Sequence, residues 1–341
     1  MNEYKRALHW YTVFVSFCTV LLLVAGGLVT STGSGLAVPD WPLSYGQVMP
    51  PMVGGIFFEH GHRMIASFVG FLTVILTFWI MKVEKRRWVR WISVASLAAV
   101  ILQGLLGGLT VYLLLPPAVS ASHATLAQTF FCLVASLALF SSRWWLTRSP
   151  ASISIPRNTM VIVAMSVVAV YIQLILGSVM RHTDSGLAVP DFPLAYGQLV
   201  PSLSSESLAK YNEQLIRSDL RLAADGAIER GQIVIHMLHR FWAVVTSIFV
   251  IASAFKLRKL SGISRRFGSL SLALIGVVVL QFSLGALTVL THTSVEIATA
   301  HQTVGALLLV TVVLSALHLY RIAPVRLISE KLVVNGKEAV A

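Results

Sequence analysis

Charged residues and cysteines are scarce in this chain of 341 residues. Only 12% of the residues are charged, 56% are hydrophobic, and the mean hydropathy is +0.79. Soluble globular domains carry about twice that charged fraction, so the composition excludes one and indicates a protein embedded in a lipid bilayer. The two cysteines, Cys18 and Cys132, both lie inside long apolar stretches. They argue against a structural disulfide, and we interpret them as small apolar helix residues.

Acidic residues are almost missing from alternate connecting segments. The basic clusters at 82–90 and 256–266 contain a single acid, Glu84, whereas Asp40, Asp184 and Asp191 lie in the segments between them. This alternation explains the net charge of +12 without nucleic-acid binding. By the positive-inside rule, the basic segments and both chain termini are predicted to be cytoplasmic.

Eight apolar stretches have the length of about 20 residues that crosses the hydrocarbon layer. We therefore predict an all-α integral membrane protein with eight transmembrane helices. The first stretch lacks a small-residue cleavage site before the polar residues that follow it, so we expect a retained helix and not a signal peptide. The stretches are 10–29, 64–81, 91–113, 124–140, 160–180, 233–255, 270–290 and 298–319.

The sequence contains an internal repeat. Residues 34–47 (SGLAVPDWPLSYGQ) recur at 185–198 (SGLAVPDFPLAYGQ), and His62-Arg63 and His123 recur as His239-Arg240 and His301. Four helices per unit return the chain to its starting side, so the repeat is parallel, with a pseudo-twofold axis along the membrane normal. We predict two tandem four-helix bundles, at 1–150 and 151–341.

The first outer loop differs between the two halves. Prolines forbid regular helix in both copies, which we expect to form ordered caps over their bundles. The repeat offset rises from 151 to 177 residues across this loop, so the second half has 26 extra residues there. Apolar residues at helical spacing within 202–230 predict an amphipathic helix lying on the outer membrane surface.

Four histidines stand near the outer ends of the second and fourth helices of each half: His62, His123, His239 and His301. A single histidine of this kind is most often an ordinary hydrogen-bonded residue, but ionisable residues inside membrane helices are costly and a duplicated pattern favours a function. Zinc normally takes three or four ligands and no thiolate lies at this depth. Two facing imidazoles suit the axial positions of a haem iron inside a four-helix bundle. Glycines on neighbouring helices allow close packing or leave room for such a flat group.

Three further side chains accompany these histidines. Arg63 and Arg240 follow His62 and His239 directly, and they either pair with haem propionates or extend to the water layer. Glu59 precedes His62 by three residues, whereas the second half has His236 at that position. A carboxylate on this face of the helix either moves protons or stabilises positive charge beside a bound ring, or it only complements the helix N-terminus.

The set Glu59-His60-Gly61-His62-Arg63, His123, His239-Arg240, His301 and the two GLAVPD loops resembles the haem A synthase family, in its bacterial form related to the mitochondrial enzyme. The resemblance covers all eight helices. It implies a bacterial inner-membrane enzyme that oxidises the C8 methyl group of haem O to a formyl group by two hydroxylations and loss of water. It also implies haem b held by His239 and His301, and haem O bound near His62 and His123. Some family members carry a cysteine pair in an outer loop, and its absence here makes redox regulation by that disulfide unexpected.

Such chemistry requires a redox metal, molecular oxygen and an external electron donor. The donor is not predicted. Contacts with haem O synthase and with cytochrome oxidase during its assembly, and a homo-oligomer, are compatible with the resemblance. Two other functions remain open: a di-haem b-type cytochrome for quinol-linked electron transfer, and a haem carrier. A cytochrome that spans the membrane needs a haem near each face, whereas all four of these histidines lie on the outer side.

Overall fold

The chain is helical throughout the residues that the computed structural model describes, which are 4–147, 155–220 and 226–323. No named strand occurs within these ranges. Eight of the ten helices, all except α5 and α7, are long and apolar enough to cross a membrane, as predicted. The helices are α1 (Arg6–Ser31), α2 (Gly54–Val83), α3 (Arg87–Tyr112), α4 (Pro117–Phe140), α5 (Arg143–Thr147), α6 (Arg157–His182), α7 (Ser205–Arg217), α8 (Arg230–Lys259), α9 (Arg265–Leu290) and α10 (Val295–Ile322).

Local sequence explains several helix ends. α4 begins with Pro117, whose fixed φ suits the first helical position. α8 begins with a capping box in which Glu229 and Gln232 each accept from the other's backbone N–H. α2 begins at Gly54, well before the predicted apolar stretch at 64. The apolar pattern does not include its first turns because they carry the polar residues Glu59, His60, His62 and Arg63.

The eight long helices pack as two equivalent sets of four. α1 contacts α2 and α4, α2 contacts α3, and α3 contacts α4; α6, α8, α9 and α10 repeat this scheme. Each set has its own buried apolar cluster. This packing is consistent with the predicted tandem bundles. The boundary predicted between residues 150 and 151 lies outside the described residues.

The two sets meet through α1, α4, α6 and α10. α1 contacts α10, α6 contacts α4 in the equivalent way, and α4 contacts α10 between them. About half of the spanning window of α4 and of α10 is buried, 50% against 22–39% in the other spans, so these two helices form the centre. Arg181 on α6 donates to the carbonyl of Thr30 on α1 at 2.7 Å. Thr30 is the residue of the first half that is equivalent to Arg181.

The proline-rich outer loops are ordered and built alike, as expected. In the N-terminal cap (residues 34–47) the Asp40 carboxylate accepts from the backbone N–H groups of Tyr45 and Gly46, at 2.6 and 2.8 Å. In the C-terminal cap (residues 185–198) Asp191 accepts from Tyr196 and Gly197, at 2.7 and 3.0 Å. Trp41–Pro42 and Phe192–Pro193 are both cis peptide bonds.

The extra segment of the second half contains the predicted amphipathic helix, α7. Its residues Tyr211 and Leu215 are buried in one cluster with Ala188, Val189 and Ala195 of the C-terminal cap. The prediction that this apolar face lies on the membrane surface was therefore wrong for these two residues, because the cap offers them an apolar protein surface.

Candidate functional site

The four histidines occupy equivalent positions near the starts of α2, α4, α8 and α10. His62 and His239 lie eight and nine residues after the first residues of α2 and α8, and His123 and His301 lie six residues after those of α4 and α10. At 1.5 Å per residue, each is about 9–14 Å along its helix. The predicted common depth of the four side chains follows from these positions.

Each histidine ring rests against a glycine on the preceding long helix. A Cβ atom placed on these glycines would lie 2.9–3.3 Å from a ring Cε1 atom, closer than ordinary van der Waals contact. The pairs are Gly26 with His62, Gly107 with His123, Gly177 with His239, and Gly285 with His301. Because the contact occurs at all four histidines, we infer that these glycines make room for the imidazole rings. Helix packing alone would not require a glycine beside each histidine.

The histidines form two pairs, one in each half. His62 lies near enough to His123, and His239 near enough to His301, for a charge on one ring to act on the other. No group of three or more His, Cys, Asp or Glu side chains within the described residues could hold a metal ion. Paired imidazoles at one depth of a four-helix bundle fit the two axial positions of a haem.

Buried polar atoms without partners surround these pairs. The Nδ1 atoms of His62, His123 and His301 are buried and lack a well-formed hydrogen bond within the described residues, although each ring approaches a backbone group, of Leu22, Gln103 and Gln281 respectively. The side-chain oxygens of Gln103, Gln173 and Gln281 are also buried and have no hydrogen-bond partner within the described residues. Since buried polar groups are normally paired, this concentration of unpaired atoms indicates a site that receives a polar or metal-bearing ligand.

Gln173 distinguishes the second pair from the first. Its Nε2 lies 3.2 and 3.1 Å from the two ring nitrogens of His239 and 3.1 Å from the His239 carbonyl. The equivalent residue in the first half is Leu22, which approaches His62 through its backbone and has no polar side chain. The second pair therefore has a polar side chain beside His239 that the first pair lacks beside His62.

Arg63 and Arg240 bind the caps. Arg63 donates to the carbonyls of Val38, Asp40 and Leu43, and Arg240 donates to those of Val189, Asp191 and Leu194, over distances of 2.7–3.2 Å. Arg240 Nε is buried and has no partner within the described residues. Each arginine thus connects the residue beside a candidate ligand histidine to the cap of its own half.

Glu59 also contacts the N-terminal cap. Its carboxylate is only 4% exposed and accepts from the backbone N–H of Val38 at 2.8 Å and from Arg63 Nη2 at 2.5 Å. The equivalent His236 is buried and donates from Nδ1 to the Ser185 carbonyl at 2.9 Å. The acid therefore exists at this position in only one half, where it lies on the same helix as His62 and contacts the cap.

A second asymmetry adjoins Glu59. His60 Nδ1 lies 2.8 Å from Ser44 Oγ, and both residues are buried. The equivalents in the second half are Met237 and Ala195, so a hydrogen-bonded pair is replaced jointly by an apolar pair. The first half is consequently the more polar of the two around its cap.

Ionisation within the caps reflects the same contacts. Hydrogen bonds from the backbone N–H groups of Gly46 and Tyr45 hold the pKa of Asp40 below its ordinary value. Burial raises the pKa of Tyr196, and the neighbouring carboxylate of Asp191 adds to the effect. Asp40 is thus a charged acceptor for its loop at neutral pH, and Tyr196 is a neutral hydroxyl that donates to the Ala188 carbonyl at 2.9 Å.

The sequence placed the four histidines but missed several residues that support them. The cap contacts of Arg63 and Arg240, the role of Gln173 and the pairing of His60 with Ser44 were not predicted. Comparing the two halves position by position would have revealed Gln173 opposite Leu22 and the joint replacement of His60 and Ser44. The backbone carbonyls that accept from the two arginines could not be predicted, because every residue has a carbonyl whatever its side chain.

Comparison with known proteins identifies a family. The family model described as "Cytochrome oxidase assembly protein" (COX15-CtaA) matches residues 9–55 and 52–313. A protein named heme A synthase from Alkalihalophilus pseudofirmus is 28% identical over 299 residues, which cover 84% of this chain and 97% of that relative. Proteins of the same name from Shewanella oneidensis and Geobacillus kaustophilus are 26% and 28% identical and cover 90% and 87% of this chain, and 94% and 86% of their own lengths.

Proposed function

This chain belongs to the COX15-CtaA family of cytochrome oxidase assembly proteins, and from that premise we propose that it converts haem O to haem A for cytochrome oxidase. Relatives named heme A synthase align with most of its length. The structural observation that carries the proposal is the duplicated pair of buried histidines, each with its ring against a glycine. Each pair can hold one haem, so a cofactor and a substrate of nearly the same shape find equivalent places in the two halves.

The two halves have different roles in this proposal. His239 and His301 would hold a haem b cofactor, because Gln173 holds the His239 backbone through its carbonyl and the buried Arg240 Nε, which has no partner within the described residues, could donate to a propionate. His62 and His123 hold haem O, and Arg63 keeps the cap in place above it. Glu59 is the acid beside the substrate and is the catalytic residue of the proposal.

The reaction oxidises a methyl group in two equivalent steps. Each hydroxylation inserts one oxygen atom at the C8 methyl group of haem O; the resulting geminal diol loses water and leaves the formyl group. Molecular oxygen is the oxidant and an external donor supplies the electrons. Bound haem b supplies one-electron redox chemistry that side chains lack. The protein's own contribution is to orient the substrate through His62 and His123, to exclude water beneath the cap, and to hold or move a proton at the Glu59 carboxylate.

The membrane setting follows from the same proposal. The chain is a multi-pass membrane protein. We place it in a bacterial inner membrane with both termini in the cytoplasm, so that the caps and both histidine pairs lie toward the outer face. Haem O synthase as supplier and an assembling cytochrome oxidase as acceptor are the partners that this chemistry requires, and the surrounding lipid is a further contact.

The test is to identify the product. The chain is expressed together with haem O synthase in a host that lacks its own haem A synthesis, and the haem extracted from it is analysed by mass. We expect haem A together with haem b. Haem O and haem b without the aldehyde would favour a haem carrier, and haem b alone would favour a di-haem cytochrome; either result would contradict the proposal.

A further inference from the structure

The two caps have the same internal structure but different surroundings. In the second half α7 lies on the C-terminal cap, and the rings of Tyr211 and Tyr196 stack with centroids 3.7 Å apart and planes 11° from parallel. Tyr211 and Leu215 join Ala188, Val189 and Ala195 of that cap in a buried cluster. No helix of the described first half occupies the equivalent position, because its chain runs directly from the cap into α2.

α7 is fastened to the helix that carries His239. Asn212 Oδ1 accepts from the Ile228 backbone N–H at 2.7 Å, and Ile228 is buried in the same cluster as Tyr211 and Leu215. Arg230, the first residue of α8, donates to Ser205 Oγ at 2.9 Å. α7 therefore joins the cap to the start of α8.

The N-terminal cap leaves the same surface open. Tyr45, the equivalent of Tyr196, is 51% exposed, and Leu36 is 42% exposed. Ala37 is only partly buried, whereas its equivalent Ala188 is 1% exposed. Tyr196 and Ala188, the equivalents of Tyr45 and Ala37, pack with α7, whereas Val38 and Ser44 are as buried as Val189 and Ala195. The missing cover is therefore most evident at Tyr45 and Ala37.

Each cap contacts residues that adjoin both histidines of its half. Arg240 follows His239 and donates to three carbonyls of the C-terminal cap. Phe192 of that cap packs edge-to-face near Phe282 of α9, three residues before Gly285, at a centroid distance of 6.2 Å. The C-terminal cap is therefore attached to both helices that flank the His239–His301 pair on the side of the caps.

We propose that α7 retains the cofactor haem of the second half, and that its absence over the first half leaves that site open for the exchange of haem substrate and product. The inference rests on the proposed function, because it needs a resident group in one half and a transient one in the other. Both groups use paired histidines, so the ligands alone do not explain why one haem stays and the other leaves. The extra cover explains the difference in retention, because moving the C-terminal cap also disrupts the Tyr211–Tyr196 stack and the cluster around Leu215.

The test measures haem loss from the purified holoprotein to an excess of apomyoglobin. In the parent we expect a fast and a slow phase, with His62→Ala removing the fast phase and His239→Ala removing the slow one. A parent that loses both haems at one rate would overturn the inference. If His239→Ala leaves the low-spin b-type spectrum intact, the proposed division of the halves fails instead, so the two failures are distinguishable.

A variant of α7 tests the cover directly. Tyr211→Ala combined with Leu215→Ala should accelerate the slow phase by about tenfold or more. Truncating buried side chains of this size commonly removes more packing free energy than a tenfold change in rate requires. Ile216→Ala is the matched control: it lies on the same helix beside Leu215 but is 46% exposed, and it should leave the slow phase unchanged. A slow phase that is unchanged in the double variant, or accelerated equally by Ile216→Ala, would contradict a retaining role for α7.

Discussion

At the scale of single residues, the glycines beside the histidines of the second half leave little room for a larger side chain. Replacing Gly177 with Ala would place a Cβ 2.9 Å from His239 Cε1, and Gly285→Ala would place one 3.0 Å from His301 Cε1. The imidazole must turn or shift in each case. The geometry of an axial ligand depends on that ring orientation.

We therefore expect Gly177→Ala and Gly285→Ala to weaken or abolish low-spin b-type absorbance in the purified protein. The control is Gly276→Ala on α9, where a Cβ meets nothing within 4 Å. Alanine is the better helix former by about 0.5–1 kcal/mol, so this variant should keep its haem and its thermal stability. Equal spectra from all three variants would show that the glycines serve helix packing only.

Glu59 gives the second prediction at this scale. Glu59→Gln keeps the size of the side chain and one acceptor for the Val38 N–H, so the fold and the b-type absorbance should survive. It removes the charge and the exchangeable proton, and loss of such a group typically costs about 10²–10⁴ in rate. The measurement is the ratio of haem A to haem O and its hydroxylated intermediate in the extracted haem. A ratio like the parent's would show that Glu59 only fastens the cap to α2.

At the scale of helices and loops, apolar length and internal repetition were sufficient for most of the architecture. All eight spans were predicted, because about 20 apolar residues have few alternatives in a bilayer. The start of α2 at Gly54 was missed, because its polar first turns lack the apolar signal while they serve the site. The position of α7 was missed for a different reason. Periodicity identifies an apolar face, but a cap surface and a membrane surface both satisfy it.

The site was predictable to a similar extent. The four histidines follow from the repeat alone, whereas their glycine partners required knowledge of which helices are neighbours. The arginines show the limit most clearly: Arg63 and Arg240 donate to backbone carbonyls of distant loop residues, and carbonyls are present at every position of the chain.

At the scale of the whole molecule, the account depends on which side of the membrane the caps face. The basic residues Lys82, Lys256, Arg258 and Lys259 stand in the last turns of α2 and α8, at the ends opposite the histidines. By the positive-inside rule those ends are cytoplasmic. A reporter fused after Ala341 should therefore read cytoplasmic, and one inserted beside Asp219 should read periplasmic. The reverse pattern would move both histidine pairs to the inner face and would contradict the proposed topology.

The central claim is that the two halves hold different haems for one reaction. The most direct measurement compares His62→Ala with His239→Ala in the same host, reading both the low-spin b-type spectrum and the extracted haems. Since a six-coordinate haem needs both of its axial ligands, His239→Ala should lose the b-type spectrum, and conversion should fail with it. His62→Ala should keep that spectrum while haem A falls below detection. If the two variants lose the same spectral species, or if His62→Ala still accumulates haem A, the division of labour between the halves is wrong.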